Sequence, residues 1–275
     1  MDKLPDLSNE ELDTILVLVH KRFGYDFSDY ARVSVRRRLV AYMTRSLVRS
    51  AADLQYNLIN DETCFPRLLQ YLTVNVTEMF RDPSFYKTLR EKVIPQLASY
   101  PFIKIWHAGC STGEEVYSMA ILLKEEGLLE RSKLYATDIN SYVLNKAKQG
   151  IFPLRNMQEY TRNYRNSGGE EVFSGYYTAK YDHVVFDASL RRNMVFALHN
   201  LASDGSFNEF NLIICRNVLI YFDKVLQQKS VHLFRQSLCL LGYLGLGTKE
   251  SLLFNREKEH FEQMDFKSKI YRRIS

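Results

Sequence analysis

One stretch, Ile103-Lys-Ile-Trp-His-Ala-Gly-Cys-Ser-Thr-Gly-Glu-Glu-Val-Tyr-Ser-Met-Ala-Ile-Leu-Leu123, constrains the fold more than any other part of the chain. Ile103 to Ala108 is a short apolar run with the β-branched and aromatic content of a buried strand, and it runs into Gly109 and Gly113, which frame Cys110-Ser111-Thr112. A helix is predicted next. Val116, Met119, Ala120 and Leu123 recur at helical spacing, and Glu114 and Glu115 occupy the first turn, where the helix dipole favours negative charge. Strand, glycine turn and helix form the unit with which doubly wound α/β domains hold a nucleotide-like ligand at the carboxyl end of the first strand.

Glycine at positions 109 and 113 leaves room for a ligand against the backbone and permits positive φ. The spacing is neither G-x-G-x-x-G nor a P-loop, since no lysine follows. Two carboxylates where a phosphate would sit point instead to a ligand with cationic groups, and S-adenosylmethionine carries an ammonium and a sulfonium. Lys133-Leu-Tyr-Ala-Thr-Asp138 reads as a second strand ending in an acid, the place from which the two hydroxyls of a ribose are held. Asp138 would alternatively cap a helix from Ile139 to Lys148. Phe210 to Cys215 is a further buried strand, from whose carboxyl end Arg216 to Tyr221 continue. An NAD-dependent oxidoreductase is the competing reading of the acid after the second strand, and the glycine spacing opposes it.

These residues carry a family resemblance. Gly-Cys-Ser-Thr-Gly-Glu-Glu-x-Tyr-Ser (109–118), Ala-Thr-Asp-Ile (136–139), Cys-Arg-Asn-Val-Leu-Ile-Tyr-Phe (215–222) and Thr-Val-Asn-Val-Thr-Glu-Met-Phe-Arg (73–81) resemble, in order, the motif set of CheR-type chemotaxis receptor methyltransferases. The likeness runs from about Leu7 to the C-terminus. It implies a Rossmann-like class I sheet preceded by an all-helical domain. The implied reaction is methyl transfer from S-adenosylmethionine to glutamate carboxylates of chemoreceptors, with S-adenosylhomocysteine as the other product. Carried over position by position, it implies cofactor contacts at Asn75, Thr77, Arg81, Ala108, Gly109, Gly113, Glu115, Asp138, Asn200, Leu201, Arg216 and Asn217. Arg81 and Tyr221 are implied at the methyl-transfer site. Met79, Asn211 and Lys249 depart from the family pattern. A regulatory relative that has lost transfer, and a methyltransferase with an amine or nucleic-acid acceptor, are the alternatives.

The expected division is a helical domain over 1–82, a linker helix over 83–98 and a methyltransferase domain over 99–275. The family's small antiparallel β subdomain, which in some members grips a C-terminal receptor tether, is expected at about 160–199. With 275 residues, 46% of them hydrophobic, the chain has material for one large domain and a small one. The polar start, Met1 to Asp6, has no apolar leader core, and no apolar run approaches the ~18 residues of a membrane span. A cytoplasmic monomer is expected. Cys64, Cys110, Cys215 and Cys239 lack CxxC spacing and the histidines lack HExxH, so neither a disulfide nor a metal is expected.

The N-terminal part reads as helices. Ser8 and Glu11 form a capping box before Leu12, Ile15, Leu16, Val19 and Phe23, with Gly24 as the stop. A second helix is predicted over Tyr30 to Leu47. From His20 to Ser50 eight basic residues face only two acidic ones, a local excess larger than the whole chain's +5. At 100° per residue Arg38, Arg45 and Arg49 leave one flank of this helix. The bland account is a solvated face, and the functional one a steering surface for an acidic partner, which for this family is the helical bundle of a chemoreceptor. A nucleic-acid partner is not expected, for no reader-fold signature is present.

Overall fold

The computed structural model describes residues 6–275; the first five residues, on which the expectation of no leader partly rests, lie outside it. The described chain forms two compact units. The first comprises the residues up to Asn75 together with Tyr221–Gln227. Its helices are α1 (Asn9–Phe23), α2 (Arg32–Arg45), α3 (Ala51–Asn60) and α4 (Cys64–Leu72). The capping box forms as the spacing predicts: Glu11 N–H donates to Ser8 Oγ at 3.1 Å and Ser8 N–H to the Glu11 carboxylate at 2.8 Å. Gly24 closes α1 in the left-handed conformation, with φ +78°. Leu12, Ile15, Val19, Leu39, Met43, Leu54 and Leu68 are wholly or almost wholly withdrawn from solvent and form the core of this unit. The later segment joins by backbone pairing: Ala31 N–H donates to Tyr221 O, Asp223 N–H donates to Asp29 O, and the Tyr30 and Phe222 rings meet edge to face at 4.9 Å.

The second unit, Val76–Ile220 with Gln228–Ser275, holds the sheet. It begins with α5 (Pro83–Thr88), a π-helical turn (Leu89–Val93) and α6 (Ile94–Leu97). Then follow β1 (Ile103–Ala108), α7 (Glu114–Glu125), β2 (Ser132–Asp138), α8 (Ser141–Gln149), β3 (Ile151–Pro153) and α9 (Met157–Asn166). Next come β4 (Tyr177–Lys180), β5 (His183–Phe186), α10 (Ala188–Arg191), β6 (Met194–Leu198) and β7 (Phe210–Cys215). The chain finishes with α11 (Lys224–Ser237), whose first turn is counted with the helical unit, then β8 (Leu238–Leu246), β9 (Phe261–Asp265) and β10 (Ile270–Arg273). The seven-stranded sheet has the order β6-β2-β1-β7-β8-β10-β9. β1 pairs in parallel with β2 on one side and β7 on the other, so the chain winds outward, returns, and leaves a switch point at the carboxyl end of β1. Trp106, fully buried, ties β1 to β2 by donating from Nε1 to Thr137 Oγ1 at 2.8 Å.

Several boundaries differ from the sequence reading. Residues 76–82 group with the sheet and not with the helices, and the small antiparallel sheet, β3-β5-β4, begins at Ile151 and ends at Phe186. Met194–Leu198 is not part of that insertion. It pairs in parallel with β2 in the main sheet, Met194 opposite Leu134 through Leu198 opposite Asp138. α11 stops at Ser237, where the apolar run Leu238–Leu246 enters the sheet with β7 and β10 on either side. The final strand β10 is interior; β9, unrecognised in the sequence, is the antiparallel edge. Among the described residues no helix is long and apolar enough to cross a membrane.

Candidate active site

The turn after β1 is stitched to the end of β2. Gly109 and Cys110 N–H both donate to Thr137 O, at 2.8 and 2.9 Å, and Ser111 N–H donates to Asp138 Oδ2 at 2.9 Å. Gly109 has φ +79°, and a Cβ there would stand 2.5 Å from Val218 Cγ2; at Gly113, φ +97°, it would meet Ala147 Cβ at 2.9 Å. Both positions therefore require glycine on space as well as on φ. Ser111 itself is left-handed, φ +51°, and its Oγ is buried without a partner. The second oxygen of Asp138 accepts from Asn140 N–H at 2.9 Å, while Asn140, not Asp138, caps α8 through Tyr142 N–H. Burial raises the Asp138 pKa, partly offset by those backbone donors. The Ile139 backbone N–H is a third donor to this carboxylate.

The two acidic residues opening α7 separate in role. Glu114 is 6% exposed, accepts from Thr112 Oγ1 at 2.6 Å, and burial pushes its pKa up to about 7. For Glu115 burial works toward the neutral form, but His107 and Arg216 prevail and its pKa is lowered. His107 Nδ1 lies 2.9 Å from Glu115 Oε1, and the Arg216 guanidinium 3.4 Å from Oε2. Arg216 also donates to Asp82 Oδ2 at 2.7 Å and to Arg81 O at 2.9 Å, and its guanidinium lies 4.3 Å over the Phe85 ring. Asp82 precedes Pro83, the sequence position of a helix cap, but makes no side-chain cap to α5: with φ +54° its carboxylate turns to Arg216 instead.

The segment bearing Arg81 is irregular: α4 ends at Leu72, and Asn75, Thr77 and Arg81 are not spaced to share one helical face. Its backbone is held from three directions. Phe80 N–H donates to Ser118 Oγ at 2.9 Å, Asn163 Nδ2 donates to Met79 O at 3.2 Å, and Arg216 reaches Arg81 O. The Arg81 guanidinium, by contrast, makes only a 3.5 Å contact to Val76 O, and no ion pair among the described residues involves it. Beyond β7, Asn217 has φ +60°, and the loop it starts is organised by Glu250. That carboxylate accepts from Gly247 N–H at 2.6 Å, Val218 N–H at 2.9 Å, Asn217 N–H at 3.0 Å and Ile220 N–H at 3.3 Å.

The remaining sequence candidates sort as follows. Ala108 is buried at the end of β1. His199 N–H donates to Asp138 O, which brings Asn200-Leu201 beside the end of β2, where Asn200 Oδ1 accepts from Ala202 N–H at 3.0 Å in a turn. Thr77 is half-buried in the irregular segment. Asn75 and Tyr221 fall in the helical unit, where Asn75 Nδ2 donates to Gln70 O at 3.1 Å and the Arg38 guanidinium lies 4.3 Å over the Tyr221 ring. Arg38 also donates to Leu72 O and burial pulls its pKa down, so it is an internal tie and not the docking residue that helical spacing suggested. Arg45 and Arg49 are exposed and free of ion pairs among the described residues. His107 and Glu250 were not singled out in the sequence. A Glu three residues past Gly247, in a loop otherwise unlike a helix start, was the available signal for Glu250; nothing local marked His107.

The residues at the switch point suit S-adenosylmethionine: the buried, unpartnered Ser111 Oγ and the Asp138 carboxylate match hydroxyls, and ionised Glu115 matches an ammonium. A parallel sheet reversing at β1, with a glycine turn there and an acid ending β2, defines a class I S-adenosylmethionine-dependent methyltransferase. The comparisons narrow this. Residues 75–270 match "CheR methyltransferase, SAM binding domain" and residues 10–73 match "CheR methyltransferase, all-alpha domain", and the chain belongs to the CheR family. It is 47% identical to a Pseudomonas putida protein called "Putative methyltransferase Cher3", over 96% of each chain. It is 31% identical to "Chemotaxis protein methyltransferase 1" of Vibrio cholerae, over 90% of each. The N-methyltransferase NodS of Bradyrhizobium japonicum, solved with S-adenosylhomocysteine, is similar at 14% identity and TM-score 0.39, covering 82% of this chain and 98% of that one; at that score the likeness adds nothing to the assignment.

Proposed function

We propose that the methyl acceptor is the side-chain carboxylate of glutamate residues on chemoreceptors, giving glutamate methyl esters. The observation that carries this is Arg81: its backbone is clamped while its guanidinium is left without an ion-pair partner, an arrangement suited to receiving a carboxylate in a forked contact. A glutamate is already ionised at neutral pH, with a reference pKa of ~4.3, so its methylation needs no general base. When bound, S-adenosylmethionine supplies an electrophilic methyl carbon on sulfur. The acceptor oxygen would take that methyl group, and S-adenosylhomocysteine would leave with the sulfur's electron pair. The chain's part is alignment and exclusion of water, which lower such barriers by several kcal/mol. Glu115 would hold the ammonium, Asp138 the ribose, Asn200 and Leu201 the adenine side, and Gly109 to Gly113 with Asn217 the backbone wall.

The test is incubation with methyl-labelled S-adenosylmethionine and receptor-bearing membranes. Label released as methanol by mild base is expected, whereas base-stable label would identify an amine or nucleic-acid acceptor and overturn the proposal. The partner fitted to the basic charge of α2 and of the connection after it is an acidic helical bundle; Arg45 ends α2, Arg49 lies in that connection, and the two replace Arg38 as the free charges. Arg45→Glu with Arg49→Glu is expected to raise KM for receptor about tenfold and to leave cofactor affinity unchanged. An unaltered KM in steady-state assays would return this face to mere solvation.

A further inference from the structure

We infer that His107 is a positioning residue for the cofactor's amino-acid end, acting through Glu115. This rests on the reading of Glu115 as the ammonium's partner. His107 is wholly buried in β1, its Nδ1 is 2.9 Å from Glu115 Oε1, and its Nε2 is buried with no partner. A carboxylate held ionised can only accept, so the proton in this contact sits on Nδ1.

The consequence is geometric. The carboxylate of Glu115 has one oxygen fixed by His107 and the other by Arg216, so both its position and its rotation are set before any ligand arrives. Arg216 cannot do this alone: its contact to Glu115 is 3.4 Å, and its shorter bonds go to Asp82 and Arg81 O. His107 makes the shorter of the two contacts and so fixes the carboxylate's direction.

The experiment uses calorimetric titration of the whole chain with two probes, S-adenosylhomocysteine and 5′-methylthioadenosine, which keeps the adenosine and sulfur but lacks the amino-acid end. The variants are His107→Asn, whose amide nitrogen replaces Nδ1, and His107→Gln, whose amide extends toward the place of Nε2. His107→Gln is expected to weaken S-adenosylhomocysteine by about tenfold or more, the size of one charge-assisted hydrogen bond, and to move 5′-methylthioadenosine by less than about twofold. His107→Asn is expected to recover most of the lost affinity. Equal losses for both probes, or equal behaviour of the Asn and Gln variants, would overturn the inference. Glu115→Gln separates the two levels: if it leaves the S-adenosylhomocysteine affinity intact, the ammonium assignment itself falls. If it weakens that probe alone while His107→Gln does not, only the role of His107 is lost.

Discussion

Arg216→Leu is expected to lower the melting temperature by about 10 °C, more than any other single substitution at the site. Arg216 is 2% exposed in its side chain and faces two carboxylates, Asp82 at 2.7 Å and Glu115 at 3.4 Å, plus the Arg81 carbonyl. Removing one partner of a buried ionic cluster leaves the others uncompensated, at a cost of about 3–5 kcal/mol, and in a domain of this size each kcal/mol moves the midpoint by roughly 2–4 °C. Asp82 is about a third exposed, so water screens part of its loss, and Glu115 carries the larger share. Glu115→Gln combined with Arg216→Leu should therefore cost less than the two singles added together. Strict additivity in thermal melts would show that the two groups are not coupled.

Asp138→Ala is expected to weaken S-adenosylhomocysteine about a hundredfold. Two charge-assisted hydrogen bonds from ribose hydroxyls would be lost at once, and the substitution also strips the acceptor from Ser111 N–H, loosening the turn. Because the ribose belongs to both probes, 5′-methylthioadenosine should fall in parallel, the opposite of the His107 pattern. Unchanged calorimetric affinity would remove Asp138 from the ribose role.

The parts of the fold legible in the sequence are those specified locally. The run from Ile103 to Leu123 contains its own strand period, glycine turn and helix period, and Ser8 with Glu11 marks a helix start without help from the rest of the chain. Leu238–Leu241 was legible only as apolar, since such a run suits the start of a strand between two others as well as the end of a helix, and neighbours decide. Asp82 shows the same competition at one residue. Before a proline it has the sequence signature of a cap, yet the buried guanidinium of Arg216, 134 positions later, takes its carboxylate. His107 and Glu250 were hidden for a related reason: each matters for a buried polar group it meets only after folding. Arg38 is the reverse case, a residue whose helical flank is right but whose length lets it fold back onto Leu72 O and Tyr221.

The clasp made by Glu250 has an evolutionary consequence. Four main-chain donors, from Gly247, Asn217, Val218 and Ile220, converge on one carboxylate. The course of residues 217–220 is thus imposed through amide groups, which every amino acid except proline possesses. Side chains along that rim can drift to suit new acceptors without altering the path of the chain beneath them, provided the single acid at position 250 persists.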